Sequence, residues 1–162
     1  MSSIIELDFV SVSERAAKIG CPLPEIAIMP ENFAVARSYN ELHVRSDAAA
    51  LRSILENACF PLGSFCPAAE HATFREENFA HWEACLFISS TLVKREPYAV
   101  SVALAIIRDH LSNYFDNEPE RTARLTLIVE RKSDRACKKL VYEGEIAGLR
   151  SLAQAVSKFV NE

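Results

Sequence analysis

Four glycines in 162 residues leave little material for a loop that cradles phosphate. The chain has no P-loop and no G-x-G-x-x-G run, both of which need glycine so that backbone amides can close on a phosphate group. It also lacks a G-x-S-x-G elbow and an H-E-x-x-H pair, so two large classes of hydrolase are without their motif. Seven prolines and four glycines in all leave no flexible linker or low-complexity tract. No internal repeat recurs at solenoid periods. No apolar run reaches the roughly 18 residues that a membrane-spanning helix needs. The opening stretch MSSIIELDFVSVSER has no basic start and places Glu6 and Asp8 inside its apolar run. It does not read as a secretory signal, and the expected address is the cytoplasm.

What is present is ordinary for a folded protein. A chain of this length suits a single domain over residues 1–162 and buries about 70% of the surface it exposes when unfolded, so it needs neither disulfide nor metal to fold. The formal net charge is -4, which opposes nucleic acid as a partner for the whole surface but leaves room for a local basic patch. Five cysteines, an odd number scattered along the chain, read most simply as small buried hydrophobes in a reducing compartment.

Hydrophobic patterning predicts an α+β fold, a mixed sheet packed by helices. IIELDFV reads as a strand with Ile5, Leu7 and Phe9 on one side. SERAAKIG reads as a short helix stopped at Gly20. EIAIM, between Pro24 and Pro30, is a short buried strand, and ELHVR a second strand candidate with His43 pointing away from the core. SDAAALRSILENA is a helix capped at Ser46, with Leu51, Ile54, Leu55 and Ala58 on its core face. CFPLGSFCPAA is a loop. Thr73 and Glu76 form a capping box, predicting a helix from Phe74 to about Ala84, and ACLFISSTLV then reads as a strand, although Pro97 beyond it also suits a helical hairpin over residues 74–95. The firmest helix is PYAVSVALAIIRDHLSNYF. Val100, Leu104, Ile107, Leu111 and Tyr114 make its stripe, and Val102 and Ile106 broaden it enough to predict burial on more than one side. RLTLIVER and ACKKLVYE form a hairpin around KSDR in which Leu127 faces Leu140 and Leu125 faces Tyr142. EIAGLRSLAQAVSKFV closes the chain as an amphipathic helix.

The residues that carry chemistry concentrate between Cys59 and Cys85. Cys59, Cys66, His71 and His81 are spaced C-x6-C-x4-H-x9-H. A structural zinc site ordinarily takes its first two sulfurs from one tight turn, and no such close pair exists, so the spacing argues against a metal. As a thiol site, Cys66 is the candidate nucleophile, with His71 or His81 as its base, because a thiolate needs a neighbouring base or helix N-terminus to form. The hairpin tip ERKSDRACKK carries Arg131, Lys132, Arg135, Lys138 and Lys139, a basic cluster able to meet an anion or an acidic partner. Lysines on an exposed strand serve equally to keep sheets from pairing, and no aromatic interleaves with them to stack on a base.

The resulting expectation is a non-catalytic interaction or regulatory module, without a cofactor, that works through another protein or through self-association. The competing class is a small thiol enzyme or a metal site built on Cys59–Cys85. Elemental analysis of protein purified without chelator is expected to find no stoichiometric zinc. One equivalent of zinc, lost on mutating Cys66 or His71, is the contrary result.

Overall fold

The computed structural model describes residues 3–44, 48–65, 82–114 and 122–162. Strand β1 (Ser3–Phe9) leads into α1 (Val12–Ile19). Ser11 caps this helix by accepting from the Glu14 amide at 3.3 Å. Gly20, at φ 80°, ends it by donating its N–H to the Ala16 carbonyl. That left-handed conformation costs glycine nothing and strains other residues. Strand β2 (Ile26–Ile28) is held to three residues between Pro24 and Pro30. The chain then passes a 3-10 turn (Tyr39–Glu41) and enters α2 (Ala48–Asn57). Strand β3 (Trp82–Ser89) runs directly into α3 (Ser90–Arg95) and then α4 (Ala99–Tyr114). Strands β4 (Thr122–Glu130) and β5 (Cys137–Glu145) form the hairpin, and a 3-10 turn (Ile146–Arg150) precedes α5 (Ser151–Val160).

The strands form one sheet in the order β1-β5-β4-β3-β2. Only β3 and β4 pair in parallel. The other neighbours are antiparallel, so the sheet is mixed and the fold is α+β. The hairpin has the expected register, with Leu125 opposite Tyr142 and Leu127 opposite Leu140.

Strand alternation sends side chains to two faces. On the first face lie Ile26, Ile28, Leu86, Ile88, Leu125, Leu127, Val129, Leu140 and Tyr142. Leu51 and Leu55 of α2, Leu104, Ile107 and Leu111 of α4, and Leu152, Val156 and Phe159 of α5 close over them. Tyr142 reaches the last of these layers by donating its hydroxyl to the Glu145 carbonyl. Gly148 lies under that ring, where a Cβ would fall 2.2 Å from the tyrosine oxygen. The second face carries Ala27, Phe87, Ile128 and Cys137. It is covered by Val12, Ala16 and Ile19 of α1 and by Met29, Phe33 and Phe65 from the loops. Phe65 bridges Phe33 and Phe87, at ring-centre distances of 5.0 and 5.5 Å.

At the end of β4, Glu130 is only 6% exposed. A buried carboxylate must be hydrogen-bonded. It accepts from the Ser11 hydroxyl at 2.6 Å, the Ser13 amide at 2.9 Å and the Ser13 hydroxyl at 3.1 Å. These donors sit at the start of α1, where the helix dipole also favours a negative charge.

Several expectations are corrected. Residues 82–84 belong to β3, so a helix from Phe74 cannot run to Ala84. The rest of that segment lies outside the described residues, as do Ser46 and the capping box. The strand read over ACLFISSTLV stops at Ser89, whose hydroxyl accepts from the Thr91 amide and turns the chain into α3. Among its described residues, 41–44, ELHVR forms no strand. Leu42 and Val44 are buried and His43 is exposed, but the backbone bonds to the turn at 31–32 instead. The Glu31 amide donates to the His43 carbonyl, and the His43 amide to the Asn32 side chain. Val102 is 47% exposed while Ile106 is partly buried against the main core, so the stripe of α4 is broadened only on the Ile106 side.

Within that stripe Leu104 is 2% exposed. Leu104→Ala is expected to lower unfolding stability by about 2–5 kcal/mol, the range for truncating a buried leucine. Denaturant titration of both proteins measures it, and a loss under about 0.5 kcal/mol would place α4 at the surface.

Candidate interaction site

The two edges of the sheet differ. Strand β2 is three residues long and bracketed by prolines, which cannot donate to a further strand. Strand β1 is seven residues long and pairs with β5 in unbroken register from Ser3–Glu143 to Phe9–Cys137. No described strand lies on its outer side. Proteins ordinarily guard such an edge with lysine, proline, a bulge or brevity. β1 has none of these, its only charges are the carboxylates of Glu6 and Asp8, and no lysine or arginine occurs before Arg15.

The predicted row of Ile5, Leu7 and Phe9 shares the second face, whose cover leaves Ile5 and Leu7 largely exposed. Ile4 packs toward the main core, while Ile5 is 53% and Leu7 48% exposed. Val10, just beyond the strand, is also exposed. On the opposite face Glu6 and Asp8 reach solvent. Glu6 lies 3.6 Å from the Lys138 ammonium, and Asp8 stands across from Lys138 in the register.

The exposed apolar row runs into a cleft of about 220 Å³ on the second face. Phe9, Phe33, Ile128 and Met29 give it apolar walls, and Thr126, Arg124 and Lys139 bring polar groups to it. Lys139 stands opposite Leu7, so edge and cleft form one continuous surface. A second groove, of about 470 Å³, lies among the helices, between Phe60, Leu92, Pro97, Tyr98 and Val102.

The basic residues of the hairpin tip do not converge. Arg131 is turned inward. It donates to both Asp134 carboxylate oxygens, at 3.2 and 2.8 Å, and to the Phe159 carbonyl at 3.2 Å. Its guanidinium also lies 4.6 Å from the Phe159 ring centre. In return it holds the Asp134 carboxyl below the ordinary carboxylate range. Arg135, at φ 57°, shapes the turn and sits 3.4 Å from Glu14. Lys138 and Lys139 are consecutive strand residues and so point to opposite faces. Lys132 and Arg135 remain exposed beside a cleft that also takes in Glu130 and Ser13.

Cys66, His71 and His81 lie outside the described residues. Cys59 is exposed at φ 60°, in the position after α2 that glycine usually fills, and the Phe60 amide closes the helix end on the Leu55 carbonyl. Cys85 sits in the wall of the first cleft, where burial pushes its thiol up to about 12. Burial and the nearby Glu130 charge do the same to Cys137. A raised thiol is the reverse of a nucleophile's environment. Among the described residues no group of three or more histidines, cysteines or carboxylates is placed to hold a metal ion. No described helix is long and apolar enough to cross a membrane.

Edge, face and charge of β1 were not anticipated as a site. The signal available was the run of residues before Arg15 without a cation, beside alternating apolar side chains. Thiol labelling of the folded protein near neutral pH is expected to modify Cys59 quickly, partly buried Cys85 slowly and buried Cys137 only on unfolding. Their ordinary value of 9.0 is raised in the folded chain, so both stay protonated there until pH approaches about 12. The unfolded chain ionises them from about pH 9, so their contribution to stability is complete below that pH and is lost as pH climbs toward 12. Rapid labelling of Cys85 at neutral pH would contradict its placement.

Compared with protein-family models, with curated proteins and with solved structures, the chain matches none.

Proposed function

We propose that this protein is a non-catalytic binding module that takes up an extended segment of another polypeptide along the outer edge of β1. The observation that carries this reading is the asymmetry of the sheet. One edge is short and closed by prolines, while the other is long, regular and flanked by exposed Ile5 and Leu7. Unpaired backbone groups on such an edge supply hydrogen bonds to an added strand, and alternate side chains supply selectivity. The cleft beside Leu7 and Phe9 gives apolar side chains of the incoming strand somewhere to go. The basic tip is a weaker candidate surface, because Arg131 is held by Asp134 and Phe159 and the two lysines diverge.

A library of random linear peptides, selected on the folded protein, tests the reading. Selected peptides are expected to slow amide hydrogen exchange in residues 3–9. Leu7→Lys is expected to weaken them about tenfold or more, since it puts a charge where an apolar contact forms, while leaving thermal unfolding nearly unchanged at this exposed site. Protection confined to the Tyr98–Val102 groove, or no selected peptide at all, would sink the proposal.

A further inference from the structure

Resting on that reading of β1, we infer that the strand it accepts belongs to a different chain and alternates basic with apolar residues. The alternation follows from the geometry of an added strand. Residues directly opposite one another share a face of the sheet and stand about 5 Å apart. Positions of the incoming strand that face Ile5 and Leu7 therefore meet exposed apolar side chains, with Lys139 behind Leu7. Positions one residue on meet Glu6 and Asp8. Both carboxylates are exposed, and the described cation beside them is Lys138, which reaches Glu6 at 3.6 Å. Two acids share one lysine, so a lysine or arginine on the incoming strand completes the balance.

The same charges disfavour a second copy. A two-fold antiparallel pairing needs its axis perpendicular to the sheet, which brings each residue opposite one of like parity. The register that pairs Ser3–Phe9 end to end sets Glu6 against Glu6 and Ile4 against Asp8. Sliding by one pair toward Phe9 sets Glu6 against Asp8, and sliding the other way sets Glu6 against Ile4 with the two copies' Glu6 side chains diagonal to each other. Like charges directly opposite are destabilising. Nothing between Ser3 and Phe9 is cationic, so no register of β1 on itself relieves them.

Three synthetic peptides test this. Each keeps valine or isoleucine at alternate positions, and the intervening positions are lysine, serine or glutamate. Affinity is measured at low and moderate salt, with hydrogen exchange of residues 3–9 as the footprint. The lysine peptide is expected to bind tightest, the serine peptide about twofold to fivefold weaker per charged position, and the glutamate peptide weakest of all. The lysine peptide's advantage should shrink as salt rises, because exposed ion pairs are screened. Glu6→Gln with Asp8→Asn should erase the ranking and keep the footprint. Glu6→Lys with Asp8→Lys should invert the ranking. Equal binding of all three peptides at β1 would overturn the inference and leave the edge-docking reading standing. No footprint at β1 with any peptide would remove both. Light scattering that shows a dimer of the unliganded protein, dissolved by Leu7→Lys, would also overturn the inference.

Discussion

The last six residues of β4, Leu125–Glu130, are all buried, and that constraint organises everything else. A strand covered on both faces needs partners on both sides and layers above and below. β3 and β5 supply the partners, running parallel and antiparallel to it. The main core closes over Leu125, Leu127 and Val129, and the smaller cluster over Ile128. Glu130 is where this demand meets a charge. The carboxylate cannot return to water without pulling the strand end with it, so the start of α1 folds over it and provides three donors. The position of α1, and with it the cover over Phe87 and Ile128, is fixed by this buried acid together with the burial of Val12, Ala16 and Ile19.

From that centre the sheet weakens outward in two different ways. Toward β2 it ends abruptly, since Pro24 and Pro30 limit pairing to three residues. The Gly63 amide reaches the Ile26 carbonyl at 2.8 Å, so even this short edge is partly taken up by the chain itself. Toward β1 the pairing stays regular for seven residues, yet the layers thin, and Ile5 and Leu7 are left half in water. Such exposure on single residues is common. Here it coincides with a backbone edge that no described strand covers and with an adjoining cleft, and the three together distinguish a surface from a scatter of apolar side chains.

Much of the fold was legible because it is local. Alternation in RLTLIVER and ACKKLVYE set the hairpin register, and Gly20 marked the end of α1. The failures are also local in origin. In ELHVR the burial alternated as in a strand, but Asn32 offered its side chain to the His43 amide, and a side chain in place of a neighbouring strand leaves no trace in periodicity. Val102 is apolar and was assigned to the core, although one apolar residue on a solvent face costs little. Ser89 and Ser90 could have signalled the turn from β3 into α3, and β propensity was followed past them. The site itself was least legible. Whether β1 lies at an edge depends on where β5 pairs, and no local pattern reports that. The cysteines and histidines between Cys59 and Cys85 are conspicuous in sequence whether or not the residues meet.

The pairing of Ser3 with Glu143 has a consequence for how the protein is made. β1 leaves the ribosome long before its partner strand exists. For most of synthesis Ile4, Ile5, Leu7 and Phe9 form an extended apolar segment with nothing to pair with, the kind of segment that joins other nascent chains. Glu6 and Asp8 interrupt that segment with charge. They therefore act as gatekeepers while the chain is incomplete, holding apart the same strands that they later keep from pairing in the folded protein.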